Sequence, residues 1–289
     1  MKPHLRLFYG LIDGDYNVFF ATLDGASNSN SEVDAVLRHI PDEQIYPKVR
    51  SGGSLIEYKS DGASSGDVFI KRPNLNYFGK FGSEAAITKF REEWHMAKDI
   101  SGLKHPNIVE FKGVILKRGF LVGLAYELLE DDLSIVARSD PLGWQDNREQ
   151  WMVSIDSALE ALHEDNKSHN DVQPEKILTT VDGMVKLVGF STARSNGALI
   201  NVEPNEYNEH FRETGGDSET ARLSVPHNDR GALRITRWSC NQIANDRRKR
   251  DDMPPLVPEV EEGSNSERPS SGSEEESERE NRAKKRARF

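Results

Sequence analysis

The segment "HNDVQPEKIL", residues 169–178, lies between an amphipathic helix and an apolar strand. In the preceding segment "WMVSIDSALEALHED", residues 151–165, apolar side chains recur at helical spacing. The segment "VKLVGF", residues 185–190, is typical of a short buried strand. The pattern therefore predicts a helix, a connecting loop that carries Asp171, and a strand.

Only part of the chain is expected to build a hydrophobic core. Of its 289 residues, 36% are hydrophobic and 30% are charged, and the mean hydropathy is -0.68. The formal net charge of -10 argues against nonspecific binding to nucleic acid, whose phosphates would repel the chain.

The single cysteine, Cys240, cannot form an internal disulfide and suits a reducing compartment. No apolar run reaches the roughly 18 residues that cross a bilayer, and the N-terminus lacks a continuous signal-peptide core, so we expect no membrane partner.

Residues 49–194 carry the clearest pattern of apolar and polar residues. It predicts buried strands at Val68–Ile70, 107–116 and 120–129, and an amphipathic helix over Glu84–Ile100. We expect this region to be the globular part of the chain.

Five segments of this region, in order, resemble motifs of the eukaryotic protein kinase family. They are "VFIK" at 68–71, "HPNIVEF" at 105–111, "AYELLEDDL" at 125–133, "ALHEDNKSHNDVQPEKIL" at 161–178 and "VKLVGFSTAR" at 185–194. The resemblance implies an α+β, bilobal protein-kinase-like fold over residues 48–200.

The resemblance also implies three catalytic positions. Lys71 stands where the family has the lysine that holds the α- and β-phosphates of ATP. Glu93 is the expected ion-pair partner on the following helix, and Glu92 is the alternative partner. Asp171 stands at the position of the base that orients the substrate hydroxyl. In the alternative interpretation, the lysine and glutamate are ordinary surface charges.

Four neighbours of Asp171 depart from the family pattern. Asn170 and Gln173 replace an arginine and a lysine, and Lys176 replaces an asparagine that ligates magnesium. Gly189 replaces the metal-binding aspartate of the Asp-Phe-Gly motif. An ammonium has no lone pair for a cation, and glycine has no side-chain oxygen. We therefore predict no metal ligands, and ATP and Mg²⁺ are cofactors only if the chain is an active kinase.

The nucleotide pocket implied by the resemblance is altered as well. Gly52 occupies the middle position of a glycine-rich loop whose other glycines are missing. Glu127 and Leu129 lie at the hinge that would hold the base. Phe69 replaces a small residue that packs on adenine, and Tyr126 is the expected gatekeeper. We expect these two rings to narrow the purine slot.

The N-terminus predicts a β-hairpin followed by a helix. Leu5, Leu7, Tyr9 and Leu11 alternate as in a half-buried strand, and an Asp-Gly turn signal precedes a second strand at residues 17–23. The helix is expected from the spacing of apolar residues over Val33–Ile40.

This order of elements is that of a β-grasp, the ubiquitin-like architecture. "LFYGLIDGDYNVFFATLDG" at 7–25 and "VDAVLRHI" at 33–40 resemble the N-terminal segment of the Crinkler effectors of oomycetes and fungi. The resemblance implies a short ubiquitin-like segment over residues 1–47. The alternative is a generic hairpin and helix that begin some other domain.

Residues 201–289 are predicted to be a largely disordered charged tail, because glycine, serine, asparagine and charged residues dominate there. The C-terminal lobe is accordingly expected to be incomplete, with "GALRITRWSCNQIAND" at 231–246 as its one helical candidate. Basic runs at 247–250 and 284–288 are candidate contacts for a nuclear import receptor, and the alternative is charge that only solubilises the tail.

Three functional hypotheses follow. The first is a pseudokinase that acts by binding other proteins, in the nucleus or cytoplasm, with secretion into a host cell implied by the resemblance to the Crinkler effectors. The second is an active serine/threonine kinase with an atypical metal site. The third is a non-functional remnant. No specific nucleic-acid partner is expected.

Overall fold

The computed structural model describes residues 6–24, 37–49, 56–59, 68–201 and 221–250. Within these ranges the helices are α1 (Leu75–Ile100), α2 (Leu133–Ser139), α3 (Pro141–Glu164) and α4 (Pro226–Arg250), with 3-10 turns at Asp42–Gln44 and Pro174–Lys176. The strands are β1 (Arg6–Ile12), β2 (Val18–Asp24), β3 (Arg38–Ile40), β4 (Val68–Lys71), β5 (Phe111–Lys117), β6 (Phe120–Glu127), β7 (Lys167–Ser168), β8 (Ile177–Thr179), β9 (Val185–Leu187), β10 (Arg194–Ser195), β11 (Leu199–Asn201) and β12 (Ala221–Leu223). They form sheets β1-β2-β3 and β4-β6-β5 and the pairs β7-β10, β8-β9 and β11-β12. None of the helices described has a stretch long and apolar enough to cross a membrane.

Strands β1 and β2 form the antiparallel hairpin that the sequence predicts, with Ile12 opposite Val18. Asp13 shapes the turn, because its Oδ1 accepts hydrogen bonds from the backbone N–H groups of Asp15 and Asn17 at 2.9 and 2.8 Å.

The helix predicted over Val33–Ile40 is wrong at its C-terminal end. Arg38–Ile40 form strand β3, which pairs antiparallel with β2 and places Ile40 opposite Val18. The open edge of β2 offers backbone hydrogen-bond partners, and these outweigh helical spacing in so short an apolar segment. Residues 33–36 lie outside the described residues. The ubiquitin-like assignment of residues 1–47 stays a prediction.

The N-terminal sheet shares one hydrophobic core with helix α1 and with strand β6 of the sheet β4-β6-β5. The buried members of this core are Val18, Ile45, Tyr46, Ala86, Phe120 and Val122. They come from β2, from the segment after the first 3-10 turn, from α1 and from β6. The core therefore crosses residue 47, where the sequence predicts a domain boundary.

Arg118, in the turn between β5 and β6, also binds the N-terminal segment, through contacts that lie outside this core. Its Nε and Nη2 donate to the two carboxylate oxygens of Asp42 at 2.6 and 3.0 Å, and its Nη1 donates to the carbonyl of Asp15 at 2.9 Å. A bidentate guanidinium–carboxylate pair fixes orientation better than a single contact does.

Helix α1 has two parts separated by Gly82. The φ of Gly82 is +81°, a conformation that glycine adopts without steric cost. The first part packs on the N-terminal sheet, where the rings of Phe20 and Phe78 meet edge to face at 5.0 Å. The second part matches the predicted helix Glu84–Ile100 and buries Phe90.

Helix α4 lies within residues 201–289, the range predicted to be a disordered tail. It packs against α2 and α3 through a buried face that includes Leu233, Cys240 and Ala244. Trp144 of α3 is fully buried, and its Nε1 donates to Asn241 Oδ1 at 3.0 Å. Burial raises the pKa of the Cys240 thiol to about 12, so this thiol stays protonated. Residues 226–250 therefore extend the folded part of the chain well beyond residue 200.

Candidate active site

Lys71 and Glu93 form an ion pair between β4 and α1. Glu93 is only 5% exposed, so its charge needs the partner that the lysine supplies. Glu92, the alternative partner, turns towards Arg194, whose Nη2 donates to Glu92 Oε2 at 2.6 Å. Helix α1 thus presents to Lys71 the glutamate that the sequence analysis preferred.

Asp229, at the start of α4, anchors the loop that carries Asp171. Its carboxylate is fully buried and accepts hydrogen bonds from the backbone N–H groups of His169 and Asn170, both at 2.7 Å. His163 Nε2 lies 3.0 Å from Asp229 Oδ2. Hydrogen bonds to a buried charged group are among the strongest in proteins, so this contact holds the loop in one conformation.

His169 is buried beneath the same loop. Its Nε2 lies 2.9 Å from the carbonyl of Val188, and its Nδ1 accepts a hydrogen bond from the backbone N–H of Asp171 at 3.2 Å. The ring of Phe190 packs edge to face against the imidazole at 5.1 Å. Burial lowers the pKa of His169, because the charged imidazolium is poorly solvated there.

The free energy of unfolding is expected to fall as the pH drops below about 6.5, the ordinary pKa of histidine. The unfolded chain then binds a proton at His169, whereas the folded chain, with its lowered pKa, binds it only at lower pH. This residue alone can contribute a slope of at most about 1.4 kcal/mol per pH unit. Urea unfolding between pH 7.5 and 5.5 measures this pH dependence. The control variant is His227→Gln, which removes an exposed imidazole and should keep the same pH dependence. Stability that stays constant or rises on acidification would contradict the assignment.

Asn170 closes the loop against two other segments. Its Nδ2 lies 2.9 Å from the carbonyl of Ser168, 3.2 Å from the carbonyl of Thr192 and 3.0 Å from Ser224 Oγ. The arginine expected here from the family pattern is thus replaced by an amide that makes short internal contacts. Its φ of +65° is one that asparagine tolerates better than most residues.

Asp171 faces a lysine rather than a metal-binding side chain. Lys176 Nζ lies 3.9 Å from Asp171 Oδ2, and Gln173 Nε2 donates to Asp171 Oδ1 at 3.2 Å. The side chain of Lys176 also passes over Gly189, since a Cβ built on that glycine would lie 2.8 Å from Lys176 Cδ. Asp171, Lys176 and Gly189 therefore form one contiguous group.

This group does not fit the Mg²⁺ of a conventional kinase. Magnesium needs oxygen ligands, and of these three positions only Asp171 carries a side-chain oxygen. Lys176 adds a positive charge beside that carboxylate. Among the described residues, no three histidine, cysteine, aspartate or glutamate side chains gather as a metal site.

The two rings expected to narrow the purine slot lie on neighbouring strands. Phe69 stands opposite Tyr126 in the β4–β6 ladder and, two residues before Lys71, lies on the same face of β4. Phe69 is 51% exposed, whereas Tyr126 is buried. Burial and the charge of Glu93 raise the pKa of Tyr126, so its hydroxyl stays protonated. Occlusion of a purine by Phe69 stays a prediction.

The other expected nucleotide-binding residues differ in their surroundings. Gly52 lies outside the described residues. Glu127 directs its carboxylate to Lys186, whose Nζ donates to both oxygens at 2.7 and 2.9 Å. Leu129 is buried directly after the strand. Both the side chain of Glu127 and its backbone N–H, which donates to the carbonyl of Glu110 at 3.1 Å, are therefore already paired.

The sequence analysis missed Asp229, His163 and Ser224, which together support the loop. Asp229 lies 60 residues from His169, and a buried aspartate leaves no trace in hydrophobic periodicity. The one available signal is its place in the first turn after Pro226, a favourable start for a helix.

Comparisons with known proteins agree with this geometry. The family model for the protein kinase domain matches residues 78–207. Mitogen-activated protein kinase 12 of Oryza sativa subsp. japonica is 32% identical over 98 residues, which cover 32% of this chain and 17% of that protein. Mitogen-activated protein kinase kinase kinase 13-B of Xenopus laevis is 32% identical over 128 residues, 41% of this chain and 12% of that protein. Cyclin-dependent kinase D-1 of Oryza sativa subsp. indica is 27% identical over 168 residues, 57% of this chain and 38% of that protein.

The chain therefore contains a protein kinase-like domain of α+β architecture. It spans well under half the length of these three relatives. The ion pair of Lys71 with Glu93 and the anchored loop around Asp171 lie within or next to the matched segment.

Proposed function

We propose that this chain is a pseudokinase, a kinase-like domain that does not transfer phosphate and acts by binding other proteins. The observation that carries the proposal is the group formed by Asp171, Lys176 and Gly189, in which an ammonium lies beside the base carboxylate. Phosphoryl transfer depends on metal and cationic stabilisation of the transferring group, and removing even one such contact costs several kcal/mol of barrier.

The scaffold around this group supports a binding role. The buried contacts of Asp229 hold the Asp171 loop against α4, and the Lys71–Glu93 pair joins β4 to α1, so both segments have a defined conformation. A defined surface can recognise a protein partner without any chemistry, because recognition depends on shape and on complementary charge.

Partner and location are part of the same proposal. The Crinkler-like resemblance of residues 1–47 favours a secreted effector that acts in a host nucleus or cytoplasm. Of the two basic runs, we favour 284–288 as the contact for an import receptor, because Arg248 of the other run is 5% exposed within the last turn of α4. Nuclear accumulation of a fluorescent fusion that persists after deletion of 284–288 would contradict this choice.

An active serine/threonine kinase is the second candidate, and a specific observation favours it. Lys71 is paired with Glu93, and Asp171 is present in an anchored loop, so two of the usual catalytic elements are in place. Such an enzyme would need a metal arrangement that does not use positions 176 and 189.

Transfer of labelled phosphate separates the two candidates. The full chain is incubated with γ-labelled ATP, a serine/threonine peptide mixture and either Mg²⁺ or Mn²⁺, beside Asp171→Ala. We expect equal, background incorporation by both proteins. Incorporation by the unaltered chain that Asp171→Ala abolishes would overturn the pseudokinase proposal.

Replacement of Phe69 by alanine is expected to increase nucleotide binding. The unaltered chain should show no rise in Tm with Mg-ATP, because a ligand stabilises a protein only if it binds the folded state. Phe69→Ala should show a saturable rise, since the phenyl ring no longer narrows the slot. Phe81→Ala is the matched control, because Phe81 is similarly exposed at 49%. Equal behaviour of the two variants would show that Phe69 is not the obstacle.

A further inference from the structure

Lys176 is held over Gly189 by both backbone and side-chain contacts. It ends the 3-10 turn Pro174–Lys176, and its carbonyl accepts a hydrogen bond from the N–H of Val188 at 2.9 Å. A Cβ on Gly189 would lie 2.8 Å from Lys176 Cδ, 3.4 Å from Cε and 3.6 Å from Nζ. The aliphatic chain of the lysine therefore occupies the space into which any side chain at 189 would project.

The lysine side chain at 176 and any side chain at 189 compete for the same space. A real Cβ is essentially never found within 3.0 Å of another heavy atom outside its own neighbourhood, so a side chain at position 189 must move the flexible end of the lysine out of its present position. Gly189 also has a φ of +83°, which favours glycine and is tolerated by aspartate and asparagine. A lysine at 176 in this conformation thus requires glycine at 189.

The charge of Lys176 also bears on whether a cation can bind beside Asp171. The ammonium of Lys176 lies 3.9 Å from Asp171 Oδ2, with its side chain 29% exposed, and supplies the carboxylate with a permanent counter-ion. A divalent ion that approached Asp171 would have to displace this ammonium against like-charge repulsion.

We infer that Lys176 is a tethered cation that takes the place of a divalent ion, and that Lys176 and Gly189 act as one coupled replacement. The inference rests on the proposed function, in which these are the two positions of the missing metal ligands. Beyond the proposed function, the inference states that neither Lys176→Asn nor Gly189→Asp alone creates a cation site, whereas the two substitutions together do.

Four full-length chains test this coupling. They are the unaltered protein, Lys176→Asn, Gly189→Asp and the double variant, each melted in increasing MnCl₂ at constant ionic strength. We expect a saturable rise in Tm, reversed by EDTA, for the double variant alone. In Gly189→Asp the lysine neutralises the new carboxylate, and in Lys176→Asn only one carboxylate, Asp171, remains. The double variant Lys176→Asn with Gly189→Asn is the matched control, since it has the same bulk without a second carboxylate.

Several outcomes would overturn the inference. A response of Gly189→Asp as large as that of the double variant would mean that Lys176 does not hold the cation position. A saturable response of the unaltered chain would mean that the position is open. A folded double variant that does not respond to Mn²⁺ would mean that the two positions do not form a cation site.

Lysine labelling provides a second measurement that does not depend on the variants at 176 and 189. Reductive methylation of the full chain, followed by mass spectrometry, compares Lys176 with Lys249, whose side chain is 78% exposed. We expect slower labelling of Lys176 and a several-fold increase in Asp171→Asn, with Lys249 unchanged. Equal rates for the two lysines in the unaltered chain would contradict the packing of Lys176 against Asp171 and Gly189.

The failure of this inference can be told apart from the failure of the proposed function. Phosphate transfer by the unaltered chain would remove the pseudokinase proposal whatever the Mn²⁺ responses are. The pattern of Mn²⁺ responses and the labelling rates concern only the coupling of positions 176 and 189.

Discussion

Asp229→Ala is expected to lower the free energy of unfolding by about 2–6 kcal/mol, because each of two buried backbone N–H groups left unsatisfied costs about 1–3 kcal/mol. The substitution strands the backbone N–H groups of His169 and Asn170, which both donate to this carboxylate at 2.7 Å. Domains of this kind are stable by about 5–15 kcal/mol, so the loss is a large share of the total. Urea unfolding followed by circular dichroism measures it.

Asp246→Ala is the matched control for this prediction. Asp246 lies on the same helix, and its side chain is 68% exposed, so its removal should change the free energy of unfolding by no more than about 0.5 kcal/mol. Asp229→Asn keeps the shape and loses the charge, and an intermediate loss is expected. Equal stability of Asp229→Ala and Asp246→Ala would show that α4 does not anchor the loop of Asp171.

Tyr46→Ala is expected to destabilise the whole folded region in a single transition, by about 3–5 kcal/mol as for other large buried aromatic residues. Tyr46 is buried in the core shared by the N-terminal sheet, α1 and β6, and its hydroxyl donates to the carbonyl of Tyr16 at 2.9 Å. In a Trp94→Phe background the remaining tryptophans, Trp144, Trp151 and Trp238, all lie on α3 and α4, so their fluorescence reports on those helices. A shared core predicts that this signal and the circular dichroism move together to lower urea concentration.

Tyr46→Phe separates the hydrogen bond from the packing. It removes only the hydroxyl, and the expected loss is about 0.5–1.5 kcal/mol. If residues 1–47 were a separate domain, Tyr46→Ala would leave the tryptophan transition of α3 and α4 unchanged. That result would support the domain boundary predicted after residue 47.

The kinase-like part of the fold could be predicted because its signals are local. The strand ending at Lys71, the helix carrying Glu93 and the loop around Asp171 each have a motif or a clear periodicity, and their order fixes how they assemble. The choice of Glu93 over Glu92 also followed from spacing, since Glu93 lies among the apolar residues of the helix.

The sequence marked only residues 231–246 as a helical candidate, within a range predicted to be disordered, because the side chains on the buried face of α4 are mostly small. Thr236, Cys240 and Ala244 recur at helical spacing, but they bury little apolar surface and are surrounded by charged residues. The helix is stabilised by partners distant in the sequence, such as Trp144, which a single sequence does not reveal.

Residues 38–40, which form strand β3, were predicted as part of a helix because the local sequence pattern does not show that they pair with β2. Ile40 fits helical spacing as well as it fits a strand, and only the neighbouring edge of β2 decides between them.

The chemistry at positions 176 and 189 followed from residue types, whereas their coupling did not. Lysine and glycine could be recognised as non-ligands from the sequence alone. That the lysine side chain fills the space above the glycine required the distances between them.

A crystal of the full chain soaked with ATP and MnCl₂ tests the central claim most directly, because manganese is located by its anomalous scattering. We predict no manganese at Asp171 and the ammonium of Lys176 in contact with that carboxylate. A manganese ion coordinated by Asp171 and by phosphate oxygens would contradict the account and support an active kinase.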